Sequence, residues 1–262
     1  MATVRLAPGV ALVTVPGHGL AVRTPDGAFL RVDTGAADQD ALVAQLTRGC
    51  GDDTELARLT AAFADAGFLA RTDDIRAPLN GRTVVLLGDP VLTEPLARFV
   101  RAEGGEVRHA GPDDLGGTGP STAVVWCLDS PVPNGLWDEA DRLPARGTCW
   151  LRCHREGATV WTEPFAAATG DVTSADVRLR RLAATPAHRE LAAYWAGSRT
   201  DDTGPAHNAA SAALTASLIT ADLIAWAAGR PGGRRLRRVD VRDLTVTEHP
   251  VLPVPAVAPL DR

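Results

Sequence analysis

Cys149-Trp-Leu-Arg-Cys153-His154 is the densest cluster of side chains that could ligate a metal or act as nucleophiles. A zinc site needs about four ligands, and no second pair stands elsewhere in the chain. In a strand over this stretch Cys149, Leu151 and Cys153 share one face, which suits packing in a core. Cys127 follows an apolar run and is the other candidate nucleophile. It has no lysine to serve it, because every basic residue is arginine. That absence also excludes Schiff-base chemistry and a P-loop lysine. His18, His109, His154, His188, His207 and His249 are scattered, with no i, i+4 metal pair. No catalytic or metal-ligating set emerges.

The formal charge of −5 argues against nucleic acid as the main partner, since phosphate binding needs surplus basic charge on one face. The run Arg230, Arg234, Arg235, Arg237 and Arg238 reads as a solvated stretch entering a strand, or as a patch for an acidic partner. Absence of a secretion signal and of a long uninterrupted apolar run points to a cytoplasmic protein away from membranes.

The elements fall into two groups. Val10–Val15, Gly19–Arg23 and Ala28–Val32 have strand character, the last two flanking the turn Thr24-Pro-Asp-Gly27. Helical spacing follows over Asp38–Arg48 and over Asp53–Ala66, the latter with an apolar stripe of Leu56, Leu59, Phe63 and Ala66. A small sheet with helices is a winged-helix-like α+β outline. Residues 72–80 are polar and hold a proline and a glycine, as a linker would.

Beyond residue 81 strands and helices alternate, as in an α/β fold with a parallel sheet. Thr83–Leu87 is a buried strand, Leu92–Glu103 a helix, and Glu106–His109 the next strand. Ala123–Leu128 and Cys149–His154 are extended, with a helix expected over Leu136–Leu143 between them. Glu156-Gly157 reads as a hairpin turn before Thr159–Thr162. Helices are expected over Val177–Leu182 and His188–Ala196. Ala206–Ala228 is apolar nearly all round and is expected at the centre of the domain. Leu236–Asp240 and Leu244–His249 close the domain.

Residues 1–71, with the turn at Pro25-Asp26-Gly27 and the closing Phe63-Ala-Asp-Ala-Gly-Phe-Leu69, resemble the PqqD-like recognition module of ribosomal peptide pathways. That family usually has three helices, whereas two are placed here. Residues 81–262 resemble the degenerate ThiF-like, Rossmann-type domain of the leader-binding partners of YcaO cyclodehydratases, which serve thiazole, oxazole and thiopeptide pathways. The similarity rests on Val84-Val-Leu-Leu-Gly88, on Leu143–Leu151, on Val160-Trp-Thr-Glu-Pro-Phe165, on Val177–Leu182 and on the closing Glu248–Pro255.

The resemblance implies a protein that binds a leader peptide and lends it to a YcaO-type cyclodehydratase, without catalysis of its own. It implies strand addition along Phe29, Leu30, Arg31 and Val32, facing a groove lined by Leu56, Leu59, Thr60 and Phe63. Arg31, Arg48 and Arg58 could pair with an acidic leader. No cofactor is expected. Active ThiF-like enzymes carry a Gly-rich phosphate turn where this chain has Gly88-Asp-Pro-Val-Leu-Thr-Glu94. Pro90 lacks an N–H, and Asp89 and Glu94 bring negative charge to the phosphate position. The cysteine pairs that hold zinc in relatives would fall near residues 170–177 and 255–259, and neither stretch has cysteine. A homodimer through the α/β part stays open. The rival readings are a ThiF-like adenylating or cyclodehydratase subunit and a winged-helix DNA-binding regulator. The second suffers because Asp53, Glu55 and Asp65 outnumber Arg58 on the helix that would meet DNA.

Overall fold

The computed structural model describes residues 4–48, 54–71, 77–115, 119–200 and 206–255. The chain forms two compact units, Met1–Arg76 and Ala77–Arg262.

In the first unit β2 (Ala11–Val15), β3 (Gly19–Arg23) and β4 (Phe29–Val32) form an antiparallel sheet in that order. β1 (Val4–Leu6) pairs with β5 (Leu69–Arg71) as a separate two-stranded ribbon. α1 (Gln39–Arg48) begins after Asp38, whose carboxylate accepts the Ala41 N–H at 2.8 Å and so caps the helix. α2 is Thr54–Asp65. Asp53, expected to begin it, lies outside the described residues. Leu20 and Val22 of β3, Leu42 and Leu46 of α1, and Leu56, Leu59 and Phe63 of α2 form the core. The expected fourth member of the α2 stripe, Ala66, is exposed just beyond the helix.

In the second unit a seven-stranded sheet runs β12-β11-β10-β9-β8-β6-β7. β6 (Thr83–Gly88), β7 (Glu106–His109), β8 (Thr122–Leu128) and β9 (Cys149–Glu156) are mutually parallel. β10 (Thr159–Thr162), β11 (Arg235–Asp240) and β12 (Val246–Pro250) extend it antiparallel. Both faces of the central strands are covered, which is why β6 and β8 read as unbroken apolar runs. One face packs on α3 (Pro90–Ala102) and α6 (Ala209–Ala227). The other carries Trp126, Trp137 and Trp150. α4 (Ser174–Ala184) and α5 (His188–Trp195) contact one another.

Four expectations are corrected. The polar stretch through residue 80 does not all lie between the units: Leu79 is fully buried in the second core, and the division falls after Arg76. The helix expected over Leu136–Leu143 is a turn followed by a 3-10 helix, Ala140–Arg146. Pro144 offers no N–H with which an α-helix could continue through it. α6 is long and apolar enough to cross a membrane by composition alone, yet it lies on one face of the sheet instead of at the centre. Leu214 and Leu218 on its outer side are only half-buried. Finally, the hairpin between β9 and β10 is present, but its turn is Gly157-Ala158, and Glu156 is the half-buried last residue of β9.

Candidate functional site

β4 pairs with β3 and with no other strand among the described residues, so its outer edge is open. The register opposes Leu20 to Val32 and Val22 to Leu30. Thr24 N–H donates to Ala28 O at 2.9 Å just before β4. Antiparallel pairing alternates, so Leu30 and Val32 bond to β3 while the backbone N–H and C=O of Phe29 and Arg31 point outward. Directly opposed side chains share a face. Leu30 therefore stands on the face of Val22, the helix-facing side, where Val22 is 1% exposed. Leu30 is 46% exposed on that same side. The helix layer leaves the Leu30 side chain uncovered there. Phe29, on the opposite face, is 63% exposed. The sheet's other edge, β2, offers only Val15 as an exposed large apolar residue.

The eight sequence-derived residues divide. Phe29, Leu30, Arg31 and Val32 form the open edge. Leu56, Leu59 and Phe63 are buried in the core, and Thr60 is half-buried with its hydroxyl donating to Leu56 O at 2.7 Å. Arg31 reaches His18 O at 3.4 Å, and Arg58 is held by Glu55 at 2.6 Å. The Glu55 carboxylate is lowered by its hydrogen bond from Arg58.

A second site lies in the larger unit, on the face of β9 away from its cysteines. The buried Arg152 donates to Glu163 Oε2 at 2.7 Å and to the carbonyls of Pro164 and Val172. His154 Nε2 meets Glu156 Oε1 at 3.2 Å. Glu156 also accepts from both terminal nitrogens of Arg181, from Trp161 Nε1 at 3.1 Å and from Trp195 Nε1 at 2.7 Å. Burial works to raise the Glu156 carboxyl, but the bonds from His154 and Arg181 outweigh it and hold it well below the usual range. A cavity of about 320 Å3 opens beside this network, walled by Val132, Trp137, Val177, Leu182 and Trp195. Sequence reading missed it, because Glu156 draws its partners from β10, α4 and α5.

Cys149 and Cys153 are buried, and so is Cys127; burial pushes the Cys149 thiol far up, and contact with Cys127 together with burial does the same for Cys153. Cys50 lies outside the described residues. Among the described residues no group of three or more His, Cys, Asp or Glu gathers to hold a metal.

At the end of β6, Gly88 has φ 101°, and a Cβ there would lie 1.8 Å from Cys127 O. Asp89 precedes α3 without capping it; its carboxylate instead accepts the Asp129 N–H at 2.6 Å. Of the arginine run, Arg237 is clamped by Asp222 and Glu248, and Arg235 by Glu248.

No family model and no curated protein matches this chain. Solved structures do. A heterocyclase in complex with substrate and cofactor superposes with a TM-score of 0.69 at 12% identity, over 97% of this chain and 39% of that one. A chain of the E. coli microcin synthetase McbBCD complex aligns over 98% of this chain and 100% of its own, with a TM-score of 0.54 and 12% identity. E. coli MccB, solved with MccA, gives 0.58 at 10% identity, over 98% and 99%. This chain thus has the mixed α/β fold found in heterocyclase and microcin synthetase proteins, and it spans about two fifths of the heterocyclase's length.

Proposed function

We propose that this chain binds the leader region of a ribosomally made precursor peptide and presents it to a separate YcaO-type cyclodehydratase that forms azoline rings. Residues 1–71 act as a PqqD-like recognition domain and residues 81–262 as a ThiF-like domain without catalysis. The carrying observation is β4: an unpaired strand edge whose Phe29 and Leu30 are both exposed. Such an edge adds an extended peptide through backbone bonds, and the uncovered apolar surface at Leu30 meets alternate side chains of the peptide. Leu56, Leu59 and Phe63 act from beneath, fixing α2 as the far wall.

The fold lends weight, since its neighbours include a heterocyclase with substrate and the McbBCD complex with pro-MccB17 bound. MccB, which shares the fold, has been solved with ATP, so an adenylating role is the natural rival. Against it, Asp89 sets a carboxylate between the ends of β6 and β8, where a nucleotide phosphate would need donors. The test is a titration of the labelled leader encoded beside the gene. Leu30→Asp is expected to weaken binding at least tenfold, because it puts an unpaired charge where the bound peptide would bury it. Unchanged affinity in that variant would remove β4 from the site.

A further inference from the structure

β12 ends the seven-stranded sheet and pairs with β11 alone among the described residues. All five of its residues are exposed. Its hydrogen bonding fixes which groups point outward. The Asp240 N–H donates to Thr245 O at 3.0 Å and the Val251 N–H to Arg234 O at 2.9 Å. Antiparallel bonding alternates, so Thr247 and His249 bond to β11 while the N–H and C=O of Val246 and Glu248 face away from it. Pro250, which has no N–H, stands at the next outward position, where a sheet tolerates it. A groove of about 970 Å3 adjoins this strand, walled by Trp161, Leu236 and Val251 on the sheet side and by Leu191 and Tyr194 of α5 on the other. Leu244, Val246 and Leu252, all exposed, add apolar surface along the strand and its flanks.

Two cations on this side lack a carboxylate. Arg180 lines the groove and donates only to the carbonyls of Leu252 and Pro253. Arg238 lies directly opposite Trp161 in β10 and Thr247 in β12, so its side chain shares the groove face. It is exposed and makes no hydrogen bond or ion pair among the described residues, unlike Arg235 and Arg237, which Glu248 and Asp222 hold. Arg181 is held by Glu156, and Glu190 is the one carboxylate on the described lining. We propose that β12 and its groove bind an extended acidic segment of a partner protein, added to the sheet as a further strand. Backbone bonds to Val246 and Glu248 hold its main chain. Its side chains on the groove face set apolar groups against Trp161 and Tyr194 and carboxylates against Arg180 and Arg238. A second copy of this chain matches less well, because its own β12 is flanked by the same unpaired arginines. The site lies in the larger unit and is independent of the β4 edge.

Fluorescence anisotropy of the full chain with two labelled peptides tests this. One repeats Glu-Thr-Leu-Thr, so that one face of the strand carries Glu and Leu in turn; the other repeats Lys-Thr-Leu-Thr. At low salt the acidic probe should bind tenfold or more tightly than the basic one. Val246→Pro removes one outward N–H and keeps the pairing with β11, and it should weaken the acidic probe about tenfold. Arg238→Glu changes an exposed side chain; it should remove most of the preference for the acidic probe, and it keeps the test decisive if the proline variant does not fold. Arg31→Pro, which blocks the β4 edge, should leave the acidic probe bound. Loss of binding in that variant would put the probe on β4 and overturn the proposal. Equal affinity for the two probes, or affinity that neither Val246→Pro nor Arg238→Glu moves, would overturn it as well. So would a wild-type dimer in sedimentation that Val246→Pro breaks, because a second copy would then hold the edge.

Discussion

Glu156 shows how one residue ties distant elements together. Its carboxylate collects bonds from β9, β10, α4 and α5. Its native pKa lies below the usual glutamate value of about 4.3. The stabilisation is therefore complete above that pH and is lost as the pH falls below it toward the native value, because the unfolded chain takes up the proton first. Urea midpoints measured from pH 7 to pH 3 should fall steeply below about pH 4.5 in the wild type, and Glu156→Gln should flatten that slope. Equal slopes would show that Glu156 does not govern acid sensitivity. The alternation of β9 was legible in the sequence: Cys149, Leu151 and Cys153 do share the α3–α6 face. The same period puts Trp150, Arg152, His154 and Glu156 on the other face. What sequence could not show is that this polar row is buried, since its cover comes from residues up to 39 positions away.

At the scale of elements, periodicity located most strands and helices, and ends were lost where a tertiary contact decides. β6 shows this. Its apolar run was plain, but the demand on Gly88 comes from Cys127 on the neighbouring strand, in register with it. Gly88→Ala combines a positive φ with a backbone collision. It should cost more than about 3 kcal/mol in denaturant unfolding, or leave no soluble protein; a loss under 1 kcal/mol would mean that the two strands can separate there at little cost. β4 is the opposite case. Its strand character was readable, but its edge position depends on sheet order, which a local pattern does not contain. The burial of Leu56, Leu59 and Phe63 was equally hidden, because an apolar helix stripe looks the same over a core as over a groove.

Across the whole molecule, the proposed function gives capture to the small unit and ring formation to a partner. The gain is one of effective concentration: a tethered core peptide meets the partner's active site far more often than a free one. Two outcomes follow. The chain incubated alone with ATP and precursor should release no pyrophosphate, and clear turnover would install the adenylating rival. Added to a YcaO partner, it should lower the precursor concentration needed for half-maximal ring formation, and a precursor without its leader should lose that benefit.

The most direct measurement uses the backbone itself. Register places the Arg31 N–H on the outer side of β4, so proline there keeps the pairing with β3 and removes only the outward donor. Arg31→Pro should weaken binding of the labelled leader by roughly tenfold or more with little change in melting temperature, while Arg31→Ala keeps most of the affinity. Wild-type affinity in a folded Arg31→Pro chain would contradict strand addition at β4.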